Sequence, residues 1–261
     1  MRKTSKKKHP AEKTDATNKN GPAGGSPAAF LSDDLKRKWP RVNQAAIPAL
    51  SVIIISLASM AFSRNITWQT ETNLWNDAVE KSPDKARGYN NLGFAFFRKD
   101  QRAAALEHYR KALSLDPNFA EAYSNRGVLY LENGNYDLAI RDFNSQISLK
   151  PYQVSAYYNR GCAYLNMGQP DNAIADFTNT LELNPQYADA YNNRGLAHYK
   201  KRQLDNAIRD YSLAIELKPD YLYAYDNRGI AYGEKGLTDL ASADFQMLRK
   251  LKKTGFPLSR E

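Results

Sequence analysis

Cysteine occurs once in this chain of 261 residues, at Cys162, and histidine three times, at His9, His108 and His198. One cysteine excludes an internal disulfide and any multi-cysteine zinc or iron–sulfur site. The histidines lie far apart, and no pair has the HxxxH spacing that sets two imidazoles on one helix face. No nucleophilic triad, Walker loop or HExxH motif is present, and Gly21, Gly24 and Gly25 neither follow a strand nor open a helix. The sequence therefore predicts no metal, no cofactor, no small-molecule substrate and no catalytic residue.

Charge is missing from one stretch. Between Arg41 and Arg64 lie 22 residues with neither acid nor base. Its core, residues 45–63, carries Ile47, Leu50, Val52, Ile53, Ile54, Ile55, Leu57, Met60 and Phe62, interrupted only by Pro48 and serines. At about 1.5 Å per residue, some 18–20 such residues span about 30 Å, one hydrocarbon core. A buried core helix and a cleaved leader compete with this reading. A soluble helix would show a polar face, however, and 44 preceding residues are far too many for a leader's basic region. A transmembrane helix over 45–63 is expected. Lys36, Arg37, Lys38 and Arg41 crowd its N-terminal flank, whereas Arg64 stands alone until Lys81. The positive-inside bias then places the N-terminus in the cytoplasm and the rest outside it, in the periplasm if the cell is bacterial.

Large apolar residues are scarce before Phe30, where lysines, glycines and prolines dominate. Such a segment buries too little to offset its ordering entropy. Residues 1–44 read as a basic disordered tail, with 11 Lys plus Arg against 4 acids. The formal charge of +9 thus belongs mostly to that tail, since residues 64–261 hold 26 basic and 24 acidic residues. A nucleic-acid-binding domain would carry its excess on a folded face, so no nucleic-acid partner is expected. The 42% hydrophobic fraction is enough for a packed domain in what remains.

What is abundant is repetition. From residue 86 the sequence repeats every 34 residues, in units 86–119, 120–153, 154–187, 188–221 and 222–255. Gly93, Gly127, Gly161, Gly195 and Gly229 hold the eighth position; Ala105, Ala139, Ala173, Ala207 and Ala241 the twentieth; Tyr109, Phe143, Phe177, Tyr211 and Phe245 the twenty-fourth. Pro117, Pro151, Pro185 and Pro219 close four units. Tyr157, Gly161 and Tyr164 share one face of a first helix, and Ala173, Ile174, Phe177 and Leu181 one face of a second. A turn near Gly134, Gly168 or Gly236 joins the two, and proline ends the second. Glycine in mid-helix costs about 1 kcal/mol relative to alanine. Its recurrence predicts a neighbour too close for a side chain. Neither helix buries its face alone, so the units must stack into a solenoid.

This pattern resembles the tetratricopeptide repeat family over about two-thirds of the chain. The resemblance implies an all-α, right-handed solenoid of helix–turn–helix units with a concave binding groove. The fifth unit departs from it, with Lys253 in place of proline and with Gly233 and Ser242, as a terminal cap would. Residues 64–85 read as a capping half-repeat, Trp75, Ala78 and Pro83 holding the aromatic, small and proline positions. Residues 256–261 form a tail. The run from Arg64 through Trp68 and Trp75 to Pro83 also resembles the junction in mannosyltransferase-like membrane proteins with tetratricopeptide tails. The chain has none of their catalytic loops, so their activity does not carry over.

Two rows invite a functional reading. Asn91, Asn125, Asn159, Asn193 and Asn227 hold the sixth position, on the stripe opposite the buried one. A carboxamide carries donor and acceptor together and can pair with both groups of a peptide unit. The row is similar to the asparagine ladder of the O-linked N-acetylglucosamine transferases, which implies a grip on peptide backbone; the competing reading is a tolerated polar residue of the repeat. Beside it runs an apolar row, Phe94, Val128, Cys162, Leu196 and Ile230, edged by Phe97, Leu131, Leu165 and Tyr199. The second row pairs Arg126, Arg160, Arg194 and Arg228 with Asp142, Asp176, Asp210 and Asp244, 16 residues on. Unit one loses both members, to Leu92 and His108, as structural ion pairs would. Cys162 reads as a small apolar residue rather than a reactive thiol, and His198 as a packed stand-in for an aromatic. Asn65-Ile66-Thr67 is a glycosylation triplet of the kind that arises by chance. The lysine and asparagine that the chaperone-tail clamp of related repeats needs are Asn90 and Phe94 here, so that ligand is not expected. The sequence as a whole predicts a non-enzymatic, membrane-anchored scaffold for a protein or extended peptide. The alternative is an accessory or remnant module of a membrane glycosyltransferase or glycan-export system.

Overall fold

The computed structural model describes residues 52–60 and 70–253. The basic tail, both ends of the apolar run, the Asn65 triplet and the C-terminal tail lie outside the described residues. Residues 52–60 are helical with Val52, Ile53, Leu57 and Met60 exposed. Among the described residues no helix is long and apolar enough to cross a membrane.

Among the described residues, 70–253 hold helices joined by short turns and no strand. A lone helix α1 (Glu71–Lys81) precedes five hairpins: α2 (Ala86–Arg98) with α3 (Arg102–Leu115), α4 (Ala120–Glu132) with α5 (Tyr136–Leu149), α6 (Val154–Asn166) with α7 (Pro170–Leu183), α8 (Ala188–Lys200) with α9 (Leu204–Leu217), and α10 (Leu222–Glu234) with α11 (Thr238–Lys253). Each second helix packs on its own first helix and on that of the next hairpin, and successive first helices touch one another. The first helices therefore line the inner side of the stack.

The glycines at the eighth position show why the hairpins close so tightly. A Cβ on Gly161 would lie 2.8 Å from the Phe177 ring, and one on Gly127 2.7 Å from the Phe143 ring. Both rings are fully buried. The close neighbour that the sequence requires is thus the aromatic of the same hairpin. Each first helix ends in a Schellman motif. In α4 the N–H of Asn135 reaches the carbonyl of Tyr130 (2.8 Å) and that of Gly134 the carbonyl of Leu131 (3.1 Å). This needs positive φ at the fifteenth position. Gly134, Gly168 and Gly236 supply it, but so do Asp100 (φ 57°) and Arg202 (φ 61°), which the sequence did not mark as turn residues.

Between hairpins the core is a chain of small clusters. Tyr130, Ala139 and Phe143 pack with Ala163 of the next repeat, and Leu165, Ala173 and Phe177 with Ala197. Helix α1 supplies the first of these seams, held by Arg98 to Glu71 (3.0 Å) and Lys99 to the Thr72 hydroxyl (2.7 Å). In α11, two residues longer than the preceding second helices, Leu248 and partly buried Leu251 pack on Leu222 and Tyr225.

Candidate functional site

The arginine of each first helix lies against the aspartate of its partner. Arg160 Nε and Nη2 donate to Asp176 at 2.8 and 2.7 Å, and Arg126–Asp142, Arg194–Asp210 and Arg228–Asp244 repeat this two-point geometry within 2.7–2.8 Å. The aspartates are buried. Tyrosines cover the guanidinium faces: Arg228 lies 5.7 Å from the centroids of both Tyr225 and Tyr232. The remaining corner crosses to the previous repeat, Arg160 to Asn144 (2.5 Å), Arg194 to Thr178 (3.2 Å) and Arg228 to Ser212 (2.9 Å). One arginine thus ties hairpin closure to stacking. A planar fork stacked on rings and bound at both ends suits this place better than lysine would.

The first repeat solves the same problem without charge. Leu92 is fully buried, and the His108 imidazole lies between Tyr89 and Phe96, with ring centroids 6.3 and 5.1 Å away. Burial pushes the His108 pKa down. His198, in the fourth repeat, has Nδ1 2.7 Å from Gln203 Oε1 and Nε2 3.9 Å from Asp210, so it sits inside the pair network.

The five asparagines lie half-buried on the inner side. They are not uniformly free for a ligand. Asn125 donates to Asn90 Oδ1 (2.9 Å), Asn193 to the Tyr158 hydroxyl (3.0 Å) and Asn227 to Asn192 Oδ1 (3.0 Å). Each bond reaches 35 residues back, to the fifth position of the previous repeat. Asn90 and Asn192 in turn donate to Asn91 and Asn193 (3.2 Å each). The fifth-position residues escaped the sequence reading because their types differ, Asn90, Ser124, Tyr158 and Asn192, and the shared function shows only in space.

The apolar row divides by depth. Phe94 and Ile230 are exposed, whereas Val128, Leu131, Cys162 and Leu196 are half-buried and pack against the seams between repeats. Leu165 is 8% exposed and belongs to the core with Ala173 and Phe177, so it offers a ligand little surface, contrary to its expected place at the groove edge. The reason is local packing: Leu165 sits in the seam with Ala197 of the next repeat, whereas Phe97, Leu131 and Tyr199 at the same twelfth position stay half-buried. Burial pushes the Cys162 thiol up to about 12, which leaves it protonated and unreactive near neutral pH.

Part of these rows meets in one cleft, which Asn159, Asn193, Asn227, Val128, Leu131, Leu165 and Leu196 do not line. A space of about 350 Å³ opens where the first three repeats meet, lined by Asn90, Asn91, Phe94, Ser124, Asn125, Gln146 and Lys150 among others. It brings together three predicted residues, Asn91, Phe94 and Asn125. Gln146, unforeseen, reaches it from α5.

Tetratricopeptide repeat models match residues 86–115, 101–134, 120–153 and 158–221. A crystal structure of MamA is 31% identical, covers 62% of this chain and 95% of its own, and superposes with a TM-score of 0.60. YrrB, whose structure is described as that of a TPR protein with an unusual peptide-binding site, shares the fold at 23% identity and a TM-score of 0.60, over 69% of this chain and 93% of its own. The Protein O-mannosyl-transferase Tmtc3 of Drosophila melanogaster is 29% identical over 91 residues, which is 33% of this chain. The match spans 10% of that protein's length.

Proposed function

Because this chain belongs to the tetratricopeptide repeat family, we propose that it is a non-enzymatic scaffold that holds a protein partner's extended segment along the inner face of its first helices. The observation that carries this is the cleft at repeats one to three, where exposed Phe94 and the carboxamides of Asn91 and Asn125 share one wall. Apolar surface beside paired donor and acceptor groups is what an extended peptide needs. The charge-free run at 45–63 and its basic N-terminal flank support a single-pass anchor, with the tail in the cytoplasm and the repeats outside it. The short Drosophila match favours a second reading, an accessory or remnant module serving a membrane mannosyltransferase system that carries the chemistry elsewhere.

The test is site-specific photocrosslinking in membranes. A crosslinker replacing Phe94 or Ile230, on the inner face, should capture the partner, and one replacing Glu107 or Arg141, exposed on second helices, should not. Capture from the second helices alone would place the partner on the outer face and overturn the reading.

A further inference from the structure

Gln146 holds the twenty-seventh position of the second repeat, where the other repeats carry Ala112, Thr180, Ala214 and Leu248. The first three of these are fully buried, and Thr180 returns its hydroxyl to the Asp176 carbonyl at 2.9 Å. A position built for a small residue thus holds a large carboxamide in one repeat only. Gln146 is 4% exposed, and its Oε1 is buried with no hydrogen-bond partner. Packing of the repeats does not call for it. A buried acceptor left without a donor is a standing cost that folding alone would remove.

Gln146 lines the cleft described above. Asn125 gives one amide N–H to Asn90, and its carbonyl is a second acceptor lining the same cleft. Lys150 and Glu121 are bound to each other at 2.5 Å, so the rim carries both signs in balance. A cation entering would meet Lys150, and an anion would meet Glu121 and two carbonyls. A neutral group rich in N–H fits best. A primary carboxamide brings two N–H donors for the acceptors and one oxygen for the Ser124 hydroxyl or the Asn91 amide. We propose that this cleft is a subsite for an Asn or Gln side chain of the bound segment, with Gln146 as the residue that selects it. The proposal rests on the groove being the peptide-binding face.

The test uses the full chain in detergent, presented to an immobilised library of random dodecapeptides. Gln146→Ala, which restores the residue of the first and fourth repeats, is run beside it. Peptides retained by the wild type should carry Asn or Gln at one fixed position. Changing that peptide residue to Ala should weaken wild-type binding about tenfold, as the loss of one hydrogen-bonded pair does, and Gln146→Ala binding less than about twofold. Retained peptides with no amide preference, or a preference that Gln146→Ala keeps, would overturn the subsite while leaving the groove intact; a water trapped at Gln146 gives that result. No retained peptide at all would overturn the groove reading and the subsite with it. An unchanged melting temperature certifies the variant, and Gln146→Thr, which copies the third repeat's Thr180, replaces it should the alanine variant melt lower.

Discussion

His108 lies flat against Phe96, ring centroids 5.1 Å apart and planes 9° from parallel, in the place where later repeats hold a guanidinium. Repeats two to five fill this slot with a charge that brings its own counterion; the first fills it with an imidazole that must stay neutral. Burial holds the His108 pKa below its ordinary 6.5. The unfolded chain therefore binds the proton more tightly, and the contribution is whole above pH 6.5 and lost as pH falls toward the lower folded value. Melting of the wild type should fall relative to His108→Phe between pH 7.5 and about 5. A difference between the two that does not vary with pH would show that His108 does not titrate on unfolding.

Removing one partner of a buried pair should cost more than removing both. Asp176→Ala leaves the Arg160 guanidinium stacked and uncompensated, at a cost of about 3–5 kcal/mol. Adding Arg160→Met removes the stranded charge and should recover part of that loss in urea titrations. If the two effects simply add, the pair is not coupled in the folded state.

A strained backbone at Arg202, in the fifteenth position, and a close approach at Gly161, in the eighth, predict opposite signs for two substitutions. Arg202 adopts φ 61°, which costs a non-glycine residue about 1–2 kcal/mol. Its pair with Glu234 is at the surface and worth little. Arg202→Gly should therefore raise stability by up to about 1 kcal/mol after glycine's own entropic cost. Gly161→Ala should lower it, since the new methyl would meet the Phe177 ring at 2.8 Å. Thermal melts of the two variants moving in the same direction would contradict this.

These cases also mark how far the sequence could be read. The 34-residue period gave the repeat family and the close approach at the eighth position, because glycine there has one steric meaning. It missed Asp100 and Arg202, whose types do not announce a left-handed backbone. The asparagine row, regular in sequence, is half-buried on the first helices. Its cross-links were invisible, because they connect the sixth position to the fifth of the repeat before, a register of 35 between residues of differing type. Gln146 did leave a signal, a large polar residue in a row of otherwise small or apolar ones. That signal acquires a meaning only once the position is known to be buried.

The proposed topology rests on the charge on either side of residues 45–63. A reporter active only outside the cytoplasm, fused after Glu261, should be active, and moving Lys36, Arg37, Lys38 and Arg41 beyond residue 64 should silence it. Cytoplasmic repeats in the unaltered protein, protected from external protease, would refute the orientation.

The asparagine row should split into two behaviours. Asn193 donates to Tyr158 and accepts from Asn192, so it serves stacking whatever else it does. Asn125 and Asn227 likewise donate to the preceding repeat. Replacing any of these with Ala should lower stability by about 0.5–1.5 kcal/mol per net bond. Asn159 makes no such bond among the described residues. Its counterpart one repeat back is Ser124, whose side chain is shorter than Asn90, Tyr158 or Asn192. Asn159→Ala should therefore leave the melting temperature unchanged and weaken binding of a groove peptide by the same margin per bond. Because the carboxamide addresses backbone, the loss should be alike for peptides of different sequence. Titration of Asn159→Ala and Asn193→Ala against two unrelated groove peptides, with thermal melts of each, separates the roles. If Asn159→Ala binds both peptides as the wild type does, the row is a stacking device throughout, and the ligand's backbone is held elsewhere on the inner face.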